Sequence, residues 1–243
     1  MTFKVPVMVS FYEDVGSLRQ AFELGEINAV SADAMTLARN FNMADLAEGY
    51  SVAMPAGWNM LLMAGRESGI QSVGDLLGKR IAVLDDDPAS TIYLETICLR
   101  QYGRQCVKVF SEIQRLPTNN QAVMRLFFGK ADAALVYRYG YDLSRDMNPQ
   151  LSQKIGPSVA ELPLTGMYYA FFSNKVDPAL RARAVKLIPT LHTYPRGRQL
   201  LDLFKMDHLE VASPQELKPF FQMDQEWHDL KALALRLPKE KKP

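Results

Sequence analysis

A predicted helix start that follows a buried strand carries the residues with the clearest chemical potential. Ser90 and Thr91 lie in the sequence DDDPAST, residues 85–91, directly after the predicted strand Ile81–Leu84. A helix N-terminus leaves backbone N–H groups free and carries about half a positive charge, and hydroxyls there add donors for an anion. The alternative is an ordinary N-cap, in which Asp87 or Ser90 satisfies the helix without a ligand. Three aspartates would repel an anion, so some of them must point away or pair with cations.

Catalytic and metal-binding motifs are not found. The sequence has no P-loop, no G-x-S-x-G and no G-x-G-x-x-G. Its three histidines, His192, His208 and His228, fall in the C-terminal quarter without metal-ligand spacing. Cys98 and Cys106 form no CxxC motif, and they are either two buried thiols or a local disulfide that would require an oxidising compartment. The sequence therefore predicts no catalytic residues, no metal and no cofactor.

Composition is that of an ordinary globular protein of 243 residues. Hydrophobic residues make up 48% and charged residues 23%, and 28 basic and 27 acidic side chains leave a formal net charge of +1. This balance argues against nucleic-acid binding. No apolar run reaches the roughly 18 residues that span a bilayer. No signal peptide is visible, so the chain is expected to be either cytoplasmic or a processed or truncated form.

Strand and helix patterns alternate along the chain, which predicts an α/β fold with parallel strands covered by helices. The predicted strands are Lys4–Ser10, Ile27–Val30, Tyr50–Met54, Trp58–Ala64, Ile81–Leu84, Val107–Phe110, Ala131–Val136 and residues 168–172. The predicted helices are Val15–Leu24, Asp33–Asn40, a short helix from Ser72 to Leu77, one ending near Gln101, Asn119–Phe128, Pro178–His192, Pro195–Met206 and Pro214–Leu235.

One module occurs twice. Residues 19–30 and 124–136 each contain a helix, a glycine, a polar pair and a short apolar strand, with Gly25 and Gly129 in the position of a helix C-cap. Two copies in separate halves of the chain predict two similar lobes rather than a repeat array.

These patterns resemble the type II periplasmic binding proteins that serve ABC transporters. The resemblance is carried by G-x-(I/V/A)-(D/N)-A after a helix, found twice, and by SVGDLLGKRIAVL at residues 72–84. The sequence DDDPAST resembles the phosphonate, phosphite and phosphate-like branch, which has D-P-x-S-T between a strand and the next helix. The C-terminal order, SNKVDPALRARAVKLI and then PRGRQLLDLFKMDHLEVAS, also fits. Together these segments cover the chain from about Lys4 to Leu235.

The resemblance implies a two-lobed fold of mixed or parallel sheets flanked by helices, with a ligand cleft between the lobes. Lobe one is expected at residues 1–66 plus 165–243, and lobe two at residues 67–164. The family begins with a strand and a helix that have no counterpart before Lys4, so we expect an N-terminal truncation or a modified first sheet. Cleft closure is expected about Ala64–Gly69 and Ala160–Gly166.

The candidate ligand-binding residues follow from the resemblance and from the rule that ligands bind outside the carboxyl ends of strands in open α/β sheets. Trp58 matches an aromatic position of the family's cleft, and ordinary core packing is its alternative. Arg138 could clamp an anion through two hydrogen bonds, and a surface cation is its alternative. The full set is Ser90, Thr91, Trp58, Ser31, Asp33, Tyr137, Arg138, Tyr139, Thr165 and Tyr168.

The implied function is non-catalytic binding of a small anionic or polar solute, as the substrate-binding component of an ABC transporter. The implied partners are that solute and a permease, the chain is expected to be a monomer, and the location is periplasmic or otherwise extracytoplasmic. A sensory or accessory binding domain and an enzyme on the same scaffold stay open as alternatives. Amides, aromatics and a cation stand where the family's amine-binding acids are expected, which disfavours an aminophosphonate.

Overall fold

The computed structural model describes residues 8–54, 57–203 and 206–236. Its α-helices are α1 (Val15–Leu24), α2 (Ala34–Asn40), α3 (Pro88–Tyr102), α4 (Cys106–Val109), α5 (Asn119–Phe127), α6 (Arg138–Met147), α7 (Leu151–Lys154), α8 (Pro178–Leu187), α9 (Pro195–Leu203) and α10 (Lys218–Arg236). Its strands are β1 (Ala29–Asp33), β2 (Leu46–Val52), β3 (Met60–Gly65), β4 (Arg80–Leu84), β5 (Glu112–Leu116), β6 (Ala133–Tyr137), β7 (Ile155–Leu162), β8 (Tyr168–Ser173) and β9 (Leu209–Ala212). Within those ranges, no helix is long and apolar enough to span a membrane.

The strands form two sheets, which confirms the predicted mixed α/β architecture. One sheet has the order β1-β8-β2-β9, and the other has the order β5-β4-β6-β3-β7. In the five-stranded sheet β4 runs parallel to both β5 and β6, whereas β3 is antiparallel to β6 and β7. In the four-stranded sheet, β1 and β2 run in the same direction but are not neighbours, because β8 lies between them and pairs antiparallel to both.

The chain passes from the first sheet to the second before β3. Met60–Gly65 lies in the interior of the five-stranded sheet, where Leu62 is paired with Leu135 on one side and Ala160 on the other. The predicted connecting segment at Ala64–Gly69 is therefore wrong, and the first connection is residues 53–59. The second connection, residues 163–167, joins β7 to β8. The division of the chain into lobes at residues 66 and 164 stays a prediction.

Several element assignments differ from those expected from local patterns. Val107–Phe110 belongs mostly to α4, and the strand comes later, at β5. Of the predicted strand Lys4–Ser10, residues 4–7 lie outside the described residues, and Met8–Ser10 are not in a strand. The helices α6 and α7 and the strands β7 and β9 have no counterpart among the predictions.

The repeated module has a structural role in the second sheet. The carboxylate of Asp132 accepts two hydrogen bonds from the guanidinium of Arg80, at 3.1 and 2.8 Å, and a third from the Arg80 backbone N–H at 2.9 Å. This pairing lowers the pKa of Asp132. The Arg80 side chain also donates to the Gly129 carbonyl, which closes α5. The motif G-K-R at residues 78–80 and the motif G-x-A-D-A at residues 129–133 therefore bind each other, and this contact holds β4 beside β6.

The C-terminal helix α10 connects the two halves. It packs against α2, which follows β1, and against α3, which follows β4. Asp224 forms an ion pair with Arg39 on α2, and Glu226 forms one with Arg100 on α3. A single hydrophobic core cluster includes Phe220 of α10 and residues beneath both sheets.

The cysteine pair lies where α3 and α4 meet. Cys98 and Cys106 are both buried, as predicted, and their Sγ atoms lie 2.7 Å apart without a disulfide bond. Hydrogen bonding to Cys98 and burial raise the pKa of the Cys106 thiol. Because the two sulfur atoms already touch, little movement is needed to join them.

We expect the protein to form the Cys98–Cys106 disulfide when it is exposed to a disulfide oxidant such as oxidised glutathione. Two thiols lose two protons and two electrons to the oxidant, which is reduced to thiols. The intact mass should fall by two hydrogen atoms, and neither cysteine should be alkylated after unfolding without reductant. The Cys98→Ala variant, which cannot form the bond, is the control. Full alkylation of both cysteines in the oxidised sample would contradict this expectation.

Candidate ligand-binding site

A cavity of about 470 Å³ opens at the carboxyl ends of β4 and β6 and is also lined by residues from the first sheet. This volume is in the range of small-molecule sites. The neighbouring strands β4 and β6 are parallel, so the segments that follow them, residues 85–88 and 138–140, meet at one edge. The lining residues are Asp33, Trp58, Leu84, Asp85, Asp86, Asp87, Pro88, Pro117, Thr118, Asn119, Asn120, Tyr137, Tyr139, Gly140, Leu143, Ser144, Met147, Met167 and Tyr168.

Four aromatic rings form a cluster in the cavity wall. Trp58 lies at its centre, with ring centroids 6.5 Å from Tyr137, 5.2 Å from Tyr139 and 6.1 Å from Tyr168, all edge-to-face. The indole N–H donates to the Val52 carbonyl at 3.1 Å, which ties the ring to the end of β2. Trp58 lies in the segment before β3, and it packs against Tyr137 and Tyr139 beside β6 and against Tyr168 of β8. These contacts join both sheets in one cavity wall.

Asp87 is the N-cap residue of α3 and lines the cavity, but its side chain makes no capping hydrogen bond to the helix. Its carboxylate accepts a hydrogen bond from the Tyr137 hydroxyl at 2.8 Å. Burial raises the pKa of Asp87, while the hydrogen bond from Tyr137 acts in the opposite direction. Burial and the nearby Asp87 carboxylate together raise the pKa of Tyr137. Tyr137 therefore stays a neutral hydrogen-bond donor to Asp87.

Asn119, at the start of α5, holds the two stacked tyrosines in place. Its Oδ1 accepts from the Tyr137 backbone N–H at 2.9 Å, and its Nδ2 donates to the Tyr139 hydroxyl at 3.2 Å. The two tyrosine rings are stacked with centroids 6.0 Å apart. The Asn119 side chain passes over Gly140, where a Cβ would lie 2.5 Å from Asn119 Cγ. The glycine is thus needed for the approach of α5 to α6.

Two more aspartates stand at the cavity's exposed side. Asp85 and Asp86 follow β4 directly, and both residues are exposed. Asp86 has a φ of 50°, in the left-handed region that aspartate tolerates better than most residues. The Asp85 backbone N–H donates to the Leu116 carbonyl at 2.8 Å. These contacts fix the backbone and leave both carboxylates at the opening.

Half of the predicted ligand-binding residues line the cavity: Asp33, Trp58, Tyr137, Tyr139 and Tyr168. Asp33 also caps α2 through a hydrogen bond from the Thr36 backbone N–H at 2.9 Å. Ser31, Ser90, Thr91, Arg138 and Thr165 are not among the lining residues. Ser31 is exposed on β1, and the exposed Thr165 lies 3.3 Å from the Tyr169 hydroxyl.

Ser90 and Thr91 take part in the helix start rather than in the cavity wall. Ser90 is buried, and its hydroxyl donates to the Asp87 carbonyl at 3.1 Å. The Thr91 backbone N–H donates to the same carbonyl at 3.1 Å. Asp87 is the N-cap residue of α3, but no side-chain capping hydrogen bond is made there, so the capping alternative is not seen in this form. Neither Ser90 nor Thr91 lines the cavity, and their part in ligand binding stays a prediction.

Arg138 is paired within the protein. Its guanidinium contacts Glu161 on β7 at 2.8 Å, and Asn59 donates to the same carboxylate oxygen at 2.5 Å. The Arg138 backbone N–H donates to the Asn59 carbonyl at 2.8 Å. These bonds join the start of α6 to the segment before β3.

Sequence reasoning did not select several lining residues. Asp85, Asp86 and Asp87 were noted only as neighbours of the proposed anion site, although they directly follow a buried strand. Asn119 follows β5, the parallel neighbour of β4, and could have been found by the same rule. Leu143, Ser144 and Met147 lie on α6, which was not predicted, although the i, i+4, i+8 spacing of Tyr139, Leu143 and Met147 is a local helix signal.

We expect Asp87→Asn to raise the free energy of unfolding at pH 7 by roughly 1 kcal/mol. Burial raises the folded pKa of Asp87 above its ordinary value, so wild type loses stability as pH rises through the folded pKa. Asparagine keeps the acceptor for Tyr137 and carries no charge. The advantage should shrink as the pH falls through the folded pKa and disappear below 3.8, where the carboxyl becomes protonated in both states.

Urea unfolding at pH 7 and pH 4 measures this difference, and Asp229→Asn, an exposed aspartate on α10, is the control. A variant that is less stable than wild type at pH 7 would show that the ionised carboxylate stabilises the helix start.

Comparison with known proteins gives one family and a consistent fold. The family model for "ABC transporter, phosphonate, periplasmic substrate-binding protein" matches residues 2–217. No curated protein matches the sequence.

Among solved structures, the binding component of an ABC phosphonate transporter from Pseudomonas aeruginosa has a TM-score of 0.62 at 13% identity, over 95% of this chain and 79% of its own. XAC2383 from Xanthomonas citri, bound to ATP, has a TM-score of 0.63 at 13% identity, over 91% of this chain and 85% of its own. PhnD1 from Prochlorococcus marinus, in complex with methylphosphonate, has a TM-score of 0.61 at 11% identity, over 92% of this chain and 85% of its own. At these identities the similarity shows the two-lobed fold alone.

Proposed function

The chain belongs to the family of phosphonate ABC transporter periplasmic substrate-binding proteins, and from this premise we propose that it binds a small polar solute in the cavity between its two sheets and delivers it to a permease. The family consists of non-catalytic binding proteins. The single observation that carries the proposal for this chain is the cavity of about 470 Å³, lined by residues of both sheets.

The cavity is built for reversible enclosure of a ligand. Asp33, Met167 and Tyr168 belong to the first sheet or its edge, whereas Asp85, Asp86 and Asp87 follow β4 of the second sheet, and Tyr137 and Tyr139 end or follow β6. A ligand that contacts both groups favours the closed arrangement by its differential affinity for it. Residues 53–59 and 163–167 are the two connections through which the halves would rotate. We propose periplasmic action, as in the family.

A thermal-shift titration tests the proposal, with Tyr168→Ala as the site variant. Tyr168 is 54% exposed and lines the cavity, so its removal should lower ligand affinity with little loss of stability. Tyr194→Ala is the matched control, because Tyr194 is 56% exposed and does not line the cavity. A solute that stabilises wild type should stabilise Tyr194→Ala equally and Tyr168→Ala less. Equal stabilisation of all three proteins would place the ligand elsewhere.

A further inference from the structure

We infer that the ligand of this cavity is a small organic cation of the alkylammonium class. This inference rests on the proposed binding function and names the chemical class of its substrate. Four aspartates and four aromatic rings line the cavity, and the described lining residues include no lysine, arginine or histidine. No group of three or more His, Cys, Asp or Glu side chains in the described ranges is placed to hold a metal ion. The inference therefore concerns a cation that is held by charge and by ring faces.

Helix dipoles oppose this charge but are weaker. The helices α2, α3, α5 and α6 all begin at the cavity, where their N-caps are Asp33, Asp87, Thr118 and Tyr137. Each helix N-terminus contributes about half a positive charge, so the four bring about two charges against the four of the aspartates. Protonation of Asp87 would still leave three carboxylates. An anion in the cavity would therefore be repelled by the net negative charge of these groups.

Two hydroxyls of the cavity wall already donate within the protein. A phosphonate needs several N–H or O–H donors. The Tyr137 hydroxyl donates to Asp87, whereas the Tyr139 hydroxyl accepts from Asn119 Nδ2 and keeps its own proton free to donate. Ser144 Oγ contacts the Gly140 carbonyl at 2.7 Å and Asn120 Oδ1 at 3.1 Å. An alkylammonium group needs no donors from the protein, because it is attracted by carboxylates and by the faces of aromatic rings.

Tyr168 is the ring best placed to contact such a ligand. It is the most exposed of the four cavity aromatics, and it stands edge-to-face with Trp58 at the boundary between the sheets. The pKa of its hydroxyl is raised by burial and by the charges of Asp87 and Asp33. A cation above this ring would lie between those carboxylates and the aromatic wall.

Isothermal titration of the full chain tests the inference with five probes. Tetramethylammonium and choline should bind saturably, and 3,3-dimethylbutan-1-ol, the uncharged analogue of choline, should bind at least about tenfold more weakly. Methylphosphonate and 2-aminoethylphosphonate should bind more weakly than choline. If either phosphonate binds more tightly than the cations, the inference is overturned and the proposed function stands. If no probe binds, the inference is overturned, whereas the proposed function is tested separately by the thermal-shift titration.

Charge and aromatic variants separate the two sources of affinity. Asp85→Asn and Asp86→Asn should each weaken choline by roughly 3- to 10-fold without changing the affinity of the uncharged analogue, whereas Asp229→Asn should change neither. Tyr168→Phe keeps the ring face and should retain affinity, whereas Tyr168→Leu should lose roughly 2- to 30-fold. Equal choline affinity in wild type, both aspartate variants and Tyr168→Leu would overturn the inference.

Discussion

Replacing Trp58 by alanine is expected to lower the free energy of unfolding by about 3–5 kcal/mol and to abolish ligand binding. The side chain is 6% exposed, and its ring contacts three tyrosines of the cavity wall. Removal leaves a void among those rings and frees the Val52 carbonyl that the indole N–H satisfies. The loss should exceed that of any other aromatic substitution in the cavity, because Trp58 alone touches all three tyrosines.

Trp58→Phe is the matched variant. It keeps an aromatic ring in the cluster and loses the hydrogen bond to Val52, which contributes about 1 kcal/mol. Guanidinium unfolding gives both stabilities, and a titration of the best ligand gives both affinities. If Trp58→Ala unfolded at the wild-type midpoint, or bound ligand with wild-type affinity, Trp58 would not be part of the wall.

The fluorescence of Trp58 can also be used to measure ligand binding in the cavity. The sequence has two tryptophans, Trp58 and Trp227. Trp227 lies on α10 beside Arg39 and Lys231, and it is not among the residues that line the cavity. In a Trp227→Phe protein all indole emission comes from Trp58, so a ligand-dependent change reports on the cavity directly.

The strand-end rule predicted part of this site because it depends on local sequence. Tyr137 and Tyr139 end or follow β6, which is parallel to β4, so the rule that such strand ends meet at one edge applies to them. Asp33 ends β1 in the other sheet, where β1 pairs antiparallel to β8, so its place in the cavity does not follow from this rule. Trp58 has no such signal and came only from the resemblance. The rule could not distinguish Tyr139 from Arg138, whose direction is set by Glu161, a residue 23 positions away on β7.

Ser90 shows a second limit of sequence reasoning. The DPAST sequence predicts a helix start correctly, and α3 begins at Pro88. Which side of the first turn faces the cavity depends on how α3 packs on its neighbours. Packing against β4 and α10 turns Ser90 into the core, so that Asp87 faces the ligand space instead. Periodicity was little help here, since nine of the fifteen helix residues are buried.

Sheet membership was also beyond local patterns. The local sequence of Met60–Gly65 predicts a strand. Its place between β6 and β7, however, depends on partners about 70 to 100 residues later in the chain. The prediction that the lobes connect after this strand therefore failed, while the predicted second connection, near Ala160–Gly166, overlaps residues 163–167 between β7 and β8. The cavity residues of α6 were missed for a different reason: Tyr139, Leu143 and Met147 recur at helical spacing, but the segment is polar on average and was not assigned as a helix.

Gly140→Ala is expected to cost about 3 kcal/mol of unfolding free energy and to weaken ligand binding by at least about tenfold. A methyl group at this position would meet the Cβ and Cγ of Asn119, which are too close to the backbone to swing away. Displacing Asn119 would break its bonds to the Tyr137 backbone and the Tyr139 hydroxyl, each contributing about 1 kcal/mol. The aromatic wall would then lose its support although no ligand-contacting atom had been removed.

Two comparison variants isolate this effect. Gly156→Ala adds the same methyl group to β7, where the nearest atom, the Ala64 carbonyl oxygen, is 3.4 Å away, and it should be nearly neutral. Asn119→Ala removes the two hydrogen bonds without adding volume, so it should cost less than Gly140→Ala. Chemical unfolding and ligand titration of the three proteins give the order directly. If Gly140→Ala resembled Gly156→Ala in both measurements, α5 and α6 could separate without disturbing the tyrosines, and Asn119 would not be what holds them in place.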